Sequence, residues 1–159
     1  MAKQGLSVSI SVRGLYPTLA ALAKLPDDAK GALKDAAYDL SVDIGKRIRV
    51  AAASRGSQAG LIPIGWGADV EDNSTSADSD LPVVWAGGEA RVGTRRKPAF
   101  KLLFGSEFGA SYLKQFPPRQ PLGRWFFPTV QDASGLIADR WMAAAEDVIA
   151  KFSEGGDDV

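Results

Sequence analysis

Histidine and cysteine are both missing from this sequence of 159 residues. Without thiols there is no disulfide, no sulfur-ligated metal and no thiolate nucleophile. Without imidazole the chain lacks the side chain that most often moves protons near neutral pH. Carboxylates, Lys, Ser, Thr and Tyr remain as possible chemical groups, yet none sits in a recognised catalytic pattern. No Gly-x-Ser-x-Gly elbow is present. The glycine-rich steps Gly65-Trp66-Gly67 and Gly105-Ser106-Glu107-Phe108-Gly109 are not followed by the Lys-Ser/Thr of a phosphate cradle. Glu107 near Tyr112 and Glu89 near Arg91 are the only neighbours suggestive of acid–base work. We therefore expect a protein that is not an enzyme, with no cofactor and no metal site.

An excess of one charge is also lacking, since 19 basic and 19 acidic side chains cancel. A dedicated nucleic-acid binder usually carries a clear basic surplus. No run approaches about 18 apolar residues, so no membrane partner is expected. The opening Met1-Ala2-Lys3-Gln4 leads into polar alternation and not into the apolar core of a signal sequence. Synthesis and folding in the cytoplasm are expected from that.

What is present has the size of one domain, 1–159, because domains commonly run about 100–200 residues. Leu6, Val8, Ile10 and Val12 alternate with polar neighbours, which predicts a half-buried strand over 6–13. Pro17 opens a short helix to Leu25. Pro26-Asp27-Asp28 then restarts the chain, with Asp27 or Asp28 as the expected N-cap. Ala29, Leu33, Ala36, Leu40, Ile44 and Ile48 recur at spacings of three and four, predicting a long helix to about Ser54 that Gly56 ends. Leu61, Ile62, Ile64 and Trp66 suggest a short strand within an otherwise long assembly loop over 57–80, expected to be mobile. Residues 82–86 and 89–93, joined by Gly87-Gly88, suggest a hairpin, and 99–104 a further strand. An aromatic crossover rich in Gly and Pro follows. Pro128 opens a terminal helix with Val130, Ser134, Ile137, Trp141, Ala144, Val148 and Phe152 as its stripe, and 154–159 form a flexible tail. These elements fit an α+β two-layer sandwich. A long helix in the N-terminal half and a C-terminal helix would pack on one face of an antiparallel or mixed sheet.

Charge is split along the middle of the chain. Asp69, Glu71, Asp72, Asp78 and Asp80 fall in a stretch, from Gly56 to Gly88, that holds no Lys or Arg. Arg91, Arg95, Arg96, Lys97 and Lys101 follow with no acid between them. Segments of opposite sign on one small domain suit head-to-tail pairing, the contact that closes into rings. The plainer alternative is two solvated loops. Arg95, Arg96 and Lys97 also suit DNA phosphates without sequence specificity, although no interleaved aromatics support base stacking there.

The richest segment runs Phe104-Gly105-Ser106-Glu107-Phe108-Gly109, then Tyr112 to Pro118, then Gly123-Arg124-Trp125-Phe126-Phe127-Pro128-Thr129. It resembles the head–tail connector and tail-completion proteins of long-tailed bacteriophages. In those a Phe-Gly-x-Glu-Phe-Gly-like step and an aromatic loop lead, through Gly-x-Trp/Phe-Phe-x-Pro-Thr/Ala, into a C-terminal helix. The resemblance spans about Leu6 to Phe152, and Ser54 to Leu61 departs from it. It implies a virion protein of the neck, forming a homo-oligomeric ring, commonly of six copies. Most directly this would be the tail terminator that caps the tail tube and meets the adjacent neck ring. A head-side stopper ring is the alternative, and a small nucleic-acid-associated module the alternative from another class. Under that resemblance, Arg95, Arg96 and Lys97 face the lumen or an acidic neighbour, with non-specific contact to passing DNA. Asp69, Glu71, Asp72, Asp78 and Asp80 dock on an adjacent subunit or ring.

Overall fold

A computed structural model describes residues 6–8, 26–67 and 83–153. The elements expected over 9–25 and 68–82 (with all five acids of the central stretch) and the tail expected over 154–159 lie outside the described residues. The chain is α+β. In order, it forms β1 (Leu6–Val8), α1 (Asp27–Arg55), a 3-10 turn (Ala59–Leu61), β2 (Ile64–Gly67) and β3 (Val83–Ala86). Then come β4 (Arg91–Val92), β5 (Lys97–Pro98), α2 (Ala99–Phe108) and α3 (Phe126–Ser153).

The 29 residues of α1 span about 43 Å at the usual helical rise. Pro26, not an aspartate, precedes the helix, and no side chain caps it. Asp27 and Asp28 instead occupy the first turn, where carboxylates favour the helix dipole. The buried seam is Ala29, Leu33, Ala37, Ser41, Ile44, Gly45, Ile48 and Ala52. Ala36 and Leu40, expected on that seam, are half-buried, because the spacing of four carries it through Ala37 and Ser41. Most of these residues are small, which lets neighbours approach closely. At Gly45 the approach is closest: the Trp66 ring of β2 lies where a Cβ would stand. The Arg49 guanidinium sits 4.6 Å from the Trp66 ring centroid and donates to the Ile64 carbonyl at 3.0 Å. Helix and sheet are thus fastened at one aromatic residue.

β3 is the centre of a three-stranded antiparallel sheet, with β1 on one side and β2 on the other. Ala86 stands opposite both Leu6 and Ile64, and Trp85 opposite Ser7 and Gly65. The expected hairpin of 82–86 with 89–93 does not form. Gly87 and Gly88 have φ of 94° and 85°, and Gly87 N–H donates to the Pro63 carbonyl, so the chain turns off the sheet there. Val84 and Ala86 are buried, whereas Glu89, Ala90 and Arg91 are exposed and have no apolar face to add to a core strand. Arg91–Val92 pairs forward instead, with Lys97–Pro98.

Residues 99–104, expected as a strand, begin helix α2. A short apolar run is ambiguous between the two states. Here Pro98 supplies the lead-in, and Ala99, Leu103 and Glu107 bury one face at spacings of four.

α3 runs antiparallel to α1. Ala29 and Leu33 meet Ala145 and Val148 at one end, with Trp141 packed alongside. Midway, Arg140 Nη1 reaches Asp43 at 2.9 Å. Ile44, Ile48 and Ala52 share the main core with Ile64, Val84, Ala86, Leu103, Phe126, Ala133 and Ile137. Of the stripe expected on α3, Ile137 and Val148 are buried, Val130, Trp141 and Ala144 half-buried, and Ser134 exposed. Ala133 and Ala145 take the buried places because the contact surface is a helix and not a flat sheet. The Phe152 side chain lies outside the described residues. The short strand suggested around Leu61 to Trp66 forms at Ile64–Gly67 as β2, while Leu61 belongs to the preceding 3-10 turn, and Ala59, Ile62 and Ile64 lie in the core.

Candidate functional site

The cations at the expected site stand on a ribbon that projects between sheet and helix. β4 and β5 pair as Arg91↔Pro98 and Val92↔Lys97, leaving residues 93–96 as the connecting turn. Arg96 N–H closes the turn on the Gly93 carbonyl at 3.0 Å. Arg91 Nη1 donates to the Arg96 carbonyl at 3.2 Å. Arg96 holds φ at 47°, the one positive value at a non-glycine among the described residues. That region costs an ordinary L-residue about 1–2 kcal/mol. Retaining arginine where glycine is cheaper is the kind of outlier that points towards use of its side chain.

Arg91, Arg95, Arg96, Lys97 and, one turn into α2, Lys101 are all exposed. None of the five makes an ion pair among the described residues. The structure thus gathers the three predicted cations and two more on one ribbon and the helix start that continues it. The five acids expected as their counterparts lie outside the described residues.

The aromatic crossover was expected to deliver the chain into the last helix, and its chemistry resides in Glu107. This residue is fully buried. Its Oε2 accepts the backbone N–H of Trp125 and Phe126, and its Oε1 that of Phe127, each at 2.9 Å. The next residue, Pro128, has no N–H, and Thr129 N–H reaches the Trp125 carbonyl at 3.3 Å. Every donor at the start of α3 is therefore met, most of them by one distant carboxylate. Gly123 is required for this approach, since a Cβ there would collide with Glu107 Oε1, and its φ is 78°. Ser106 Oγ accepts from Trp125 Nε1 at 3.2 Å. Gly105 lets the Phe116 ring lie on α2.

Glu107 is thus a structural clamp, and a carboxylate engaged by three main-chain donors is poorly placed for acid–base work. Tyr112, its suggested neighbour, is 82% exposed. Sequence reasoning missed the clamp, although one signal was available: no Ser, Thr, Asp or Asn stands in Gly123-Arg124-Trp125 to cap the helix locally. It also missed a cleft where the end of α1 meets the crossover, lined by Arg55, Gln58 and Arg124.

The crossover also presents apolar surface: Leu122 and Tyr112 are each 82% exposed, and Leu113 and Phe104 partly so. Among the described residues no group of His, Cys, Asp or Glu is arranged to hold a metal ion. No helix among them is long and apolar enough to cross a membrane. No protein-family model, curated protein or solved structure matches the chain.

Proposed function

We propose that this chain is a non-catalytic structural subunit of a bacteriophage neck, assembling into a ring at the head–tail junction as the tail terminator that caps the tail tube. The observation that carries the reading is the group of five exposed cations, on the ribbon and the start of α2, without ion-pair partners among the described residues. Cations kept free on a projecting ribbon suit an acidic neighbour or a lumen crossed by DNA. The exposed Tyr112, Leu113 and Leu122 on the crossover supply apolar area for a subunit contact of a kind that typically buries about 1,200–2,000 Å². The motif resemblance points the same way, and the Glu107 clamp gives the Glu of its Phe-Gly-x-Glu-Phe-Gly-like step a packing role. In this reading the protein resides in the virion, with the adjacent neck ring and the tube protein as partners.

Light scattering on size-separated protein over a concentration series, followed by negative-stain imaging, tests this. An annular species of about six copies is expected, alone or once tail tubes are added. Protein that stays monomeric and leaves tube ends bare sinks the reading. The same free cations favour one competing reading, a small nucleic-acid-associated module, for which duplex binding by the isolated monomer is the signature.

A further inference from the structure

The outward face of α3 carries acids that no cation of its own helix answers. Asp132, Asp139 and Glu146 recur every seven residues, about two helical turns, so they share one face. All three are exposed, and none makes an ion pair among the described residues. The positions three and four residues from each acid, where a helix places ion-pair partners, hold no Lys or Arg. The two cations of α3 turn elsewhere: Arg140 pairs with Asp43 of α1, and Lys151 with Asp147. Met142 and Ile149, 57% and 52% exposed, stand between and beyond the acids on the same face. From Asp132 to Ile149 the stripe runs about 26 Å along the helix. Single exposed apolar residues are ordinary. Two large ones set among unpaired like charges mark a face that gains from being covered.

The ribbon and the start of α2 hold the complementary chemistry. Their five cations are exposed and make no ion pair among the described residues. Two large apolar residues stand beside them. Phe104, 42% exposed, lies three residues beyond Lys101 on α2. Leu61, 46% exposed, lies against the ribbon at Gly93, where a Cβ would be 3.4 Å from its Cδ1. One surface thus sets cations around apolar side chains, and the other sets acids around them.

We propose that the outward face of α3 docks on the ribbon and α2 surface of a second copy of this chain. Asp132, Asp139 and Glu146 then meet the ribbon cations, and Met142 and Ile149 meet Leu61 and Phe104. A second copy satisfies both surfaces at once, whereas DNA, itself anionic, answers the cations and leaves the α3 stripe bare. The two surfaces differ, so the contact is heterologous, and its repetition gives a ring or an open chain. As the contact that builds a ring it rests on the ring reading above, and it makes α3 the counterpart of the ribbon in place of the acids of 69–80.

Two variants of the full chain test this by sedimentation velocity at low ionic strength, where charge complementarity counts most. One carries Asp139→Lys with Glu146→Lys, the other Arg95→Glu with Arg96→Glu. All four residues are exposed, and melting curves check that both variants fold. Alone, each sets like charges against like and is expected to self-associate about tenfold or more weakly than the parent. Mixed in equal amounts, they set opposite charges together at every contact and should regain association. If the α3 variant alone assembles as the parent does, the inference is overturned while the ring reading stands, with the acidic counterpart elsewhere. If mixing restores nothing, the inference is likewise overturned. Association restored by mixing, but only as open chains with no annular species even on tail tubes, upholds the α3 contact and sinks the ring reading. A parent that stays monomeric at about millimolar concentration and on tail tubes overturns both.

Discussion

Replacing Glu107 with glutamine changes one atom at the most heavily used carboxylate in the structure. The native side chain is fully buried and accepts three main-chain N–H groups at 2.9 Å. Glutamine keeps one acceptor oxygen and turns an NH2 towards the remaining donors. At least one N–H at the start of α3 is then orphaned, at roughly 1–3 kcal/mol for a buried group. Loss of the negative charge at the helix N-terminus adds about 0.3–2 kcal/mol. Together these predict a loss of about 1.3–5 kcal/mol, a large part of the roughly 5–15 kcal/mol that holds a domain folded. For a chain of this size each kcal/mol lowers the melting temperature by about 2–4 °C, so a drop on the order of 10 °C is expected. Urea unfolding and thermal melts by circular dichroism measure it. Glu146→Gln, at an exposed site on α3, is the control and should stay within about 0.5 kcal/mol. A Glu107→Gln protein within about 1 kcal/mol of the parent would falsify the clamp.

Two glycines of α1 should respond in opposite senses to alanine. Gly31 has open space around it, so Gly31→Ala should stabilise by about 0.5–1 kcal/mol through helix propensity. Gly45→Ala pushes a methyl into the Trp66 ring and should cost about 1–2 kcal/mol net, since overpacking exceeds the propensity gain; equal signs in chemical denaturation would refute this close approach. Arg96→Gly relieves the φ of 47° and should stabilise by about 0.5–1 kcal/mol while impairing assembly scored by electron microscopy. A gain in stability with assembly intact would show that the side chain is idle. Reversing Arg95 and Arg96 to glutamate should abolish ring closure or tube capping, and virions assembling at parental yield would remove the ribbon from the interface. If the ribbon and Lys101 bind duplex DNA through all five cations, log K should fall against log salt with a slope of about −4.5. A slope near zero excludes phosphate contact.

The long helix was legible because its signal is local: apolar residues at three and four, acids at the start, and a glycine at the end set α1 from Asp27 to Arg55. The last helix and the β3 run were legible for the same reason. So was the basic tip, because charge density is a property of composition. Strand partners were not. Val83–Ala86 carries no mark telling whether its neighbour is seven residues ahead or the distant β1 and β2, and only the tertiary structure decides it. Residues 99–104 are apolar enough for either state, and the buried face formed with Glu107 makes them helical. Glu107 itself reads as any surface acid until the crossover folds back across 18 to 20 residues and delivers three N–H groups to it. The cleft of Gln58 and Arg124 has the same origin. Periodicity and propensity act over a few residues and are written in the chain, whereas hydrogen-bond partners separated by long loops are chosen by which apolar faces must close together.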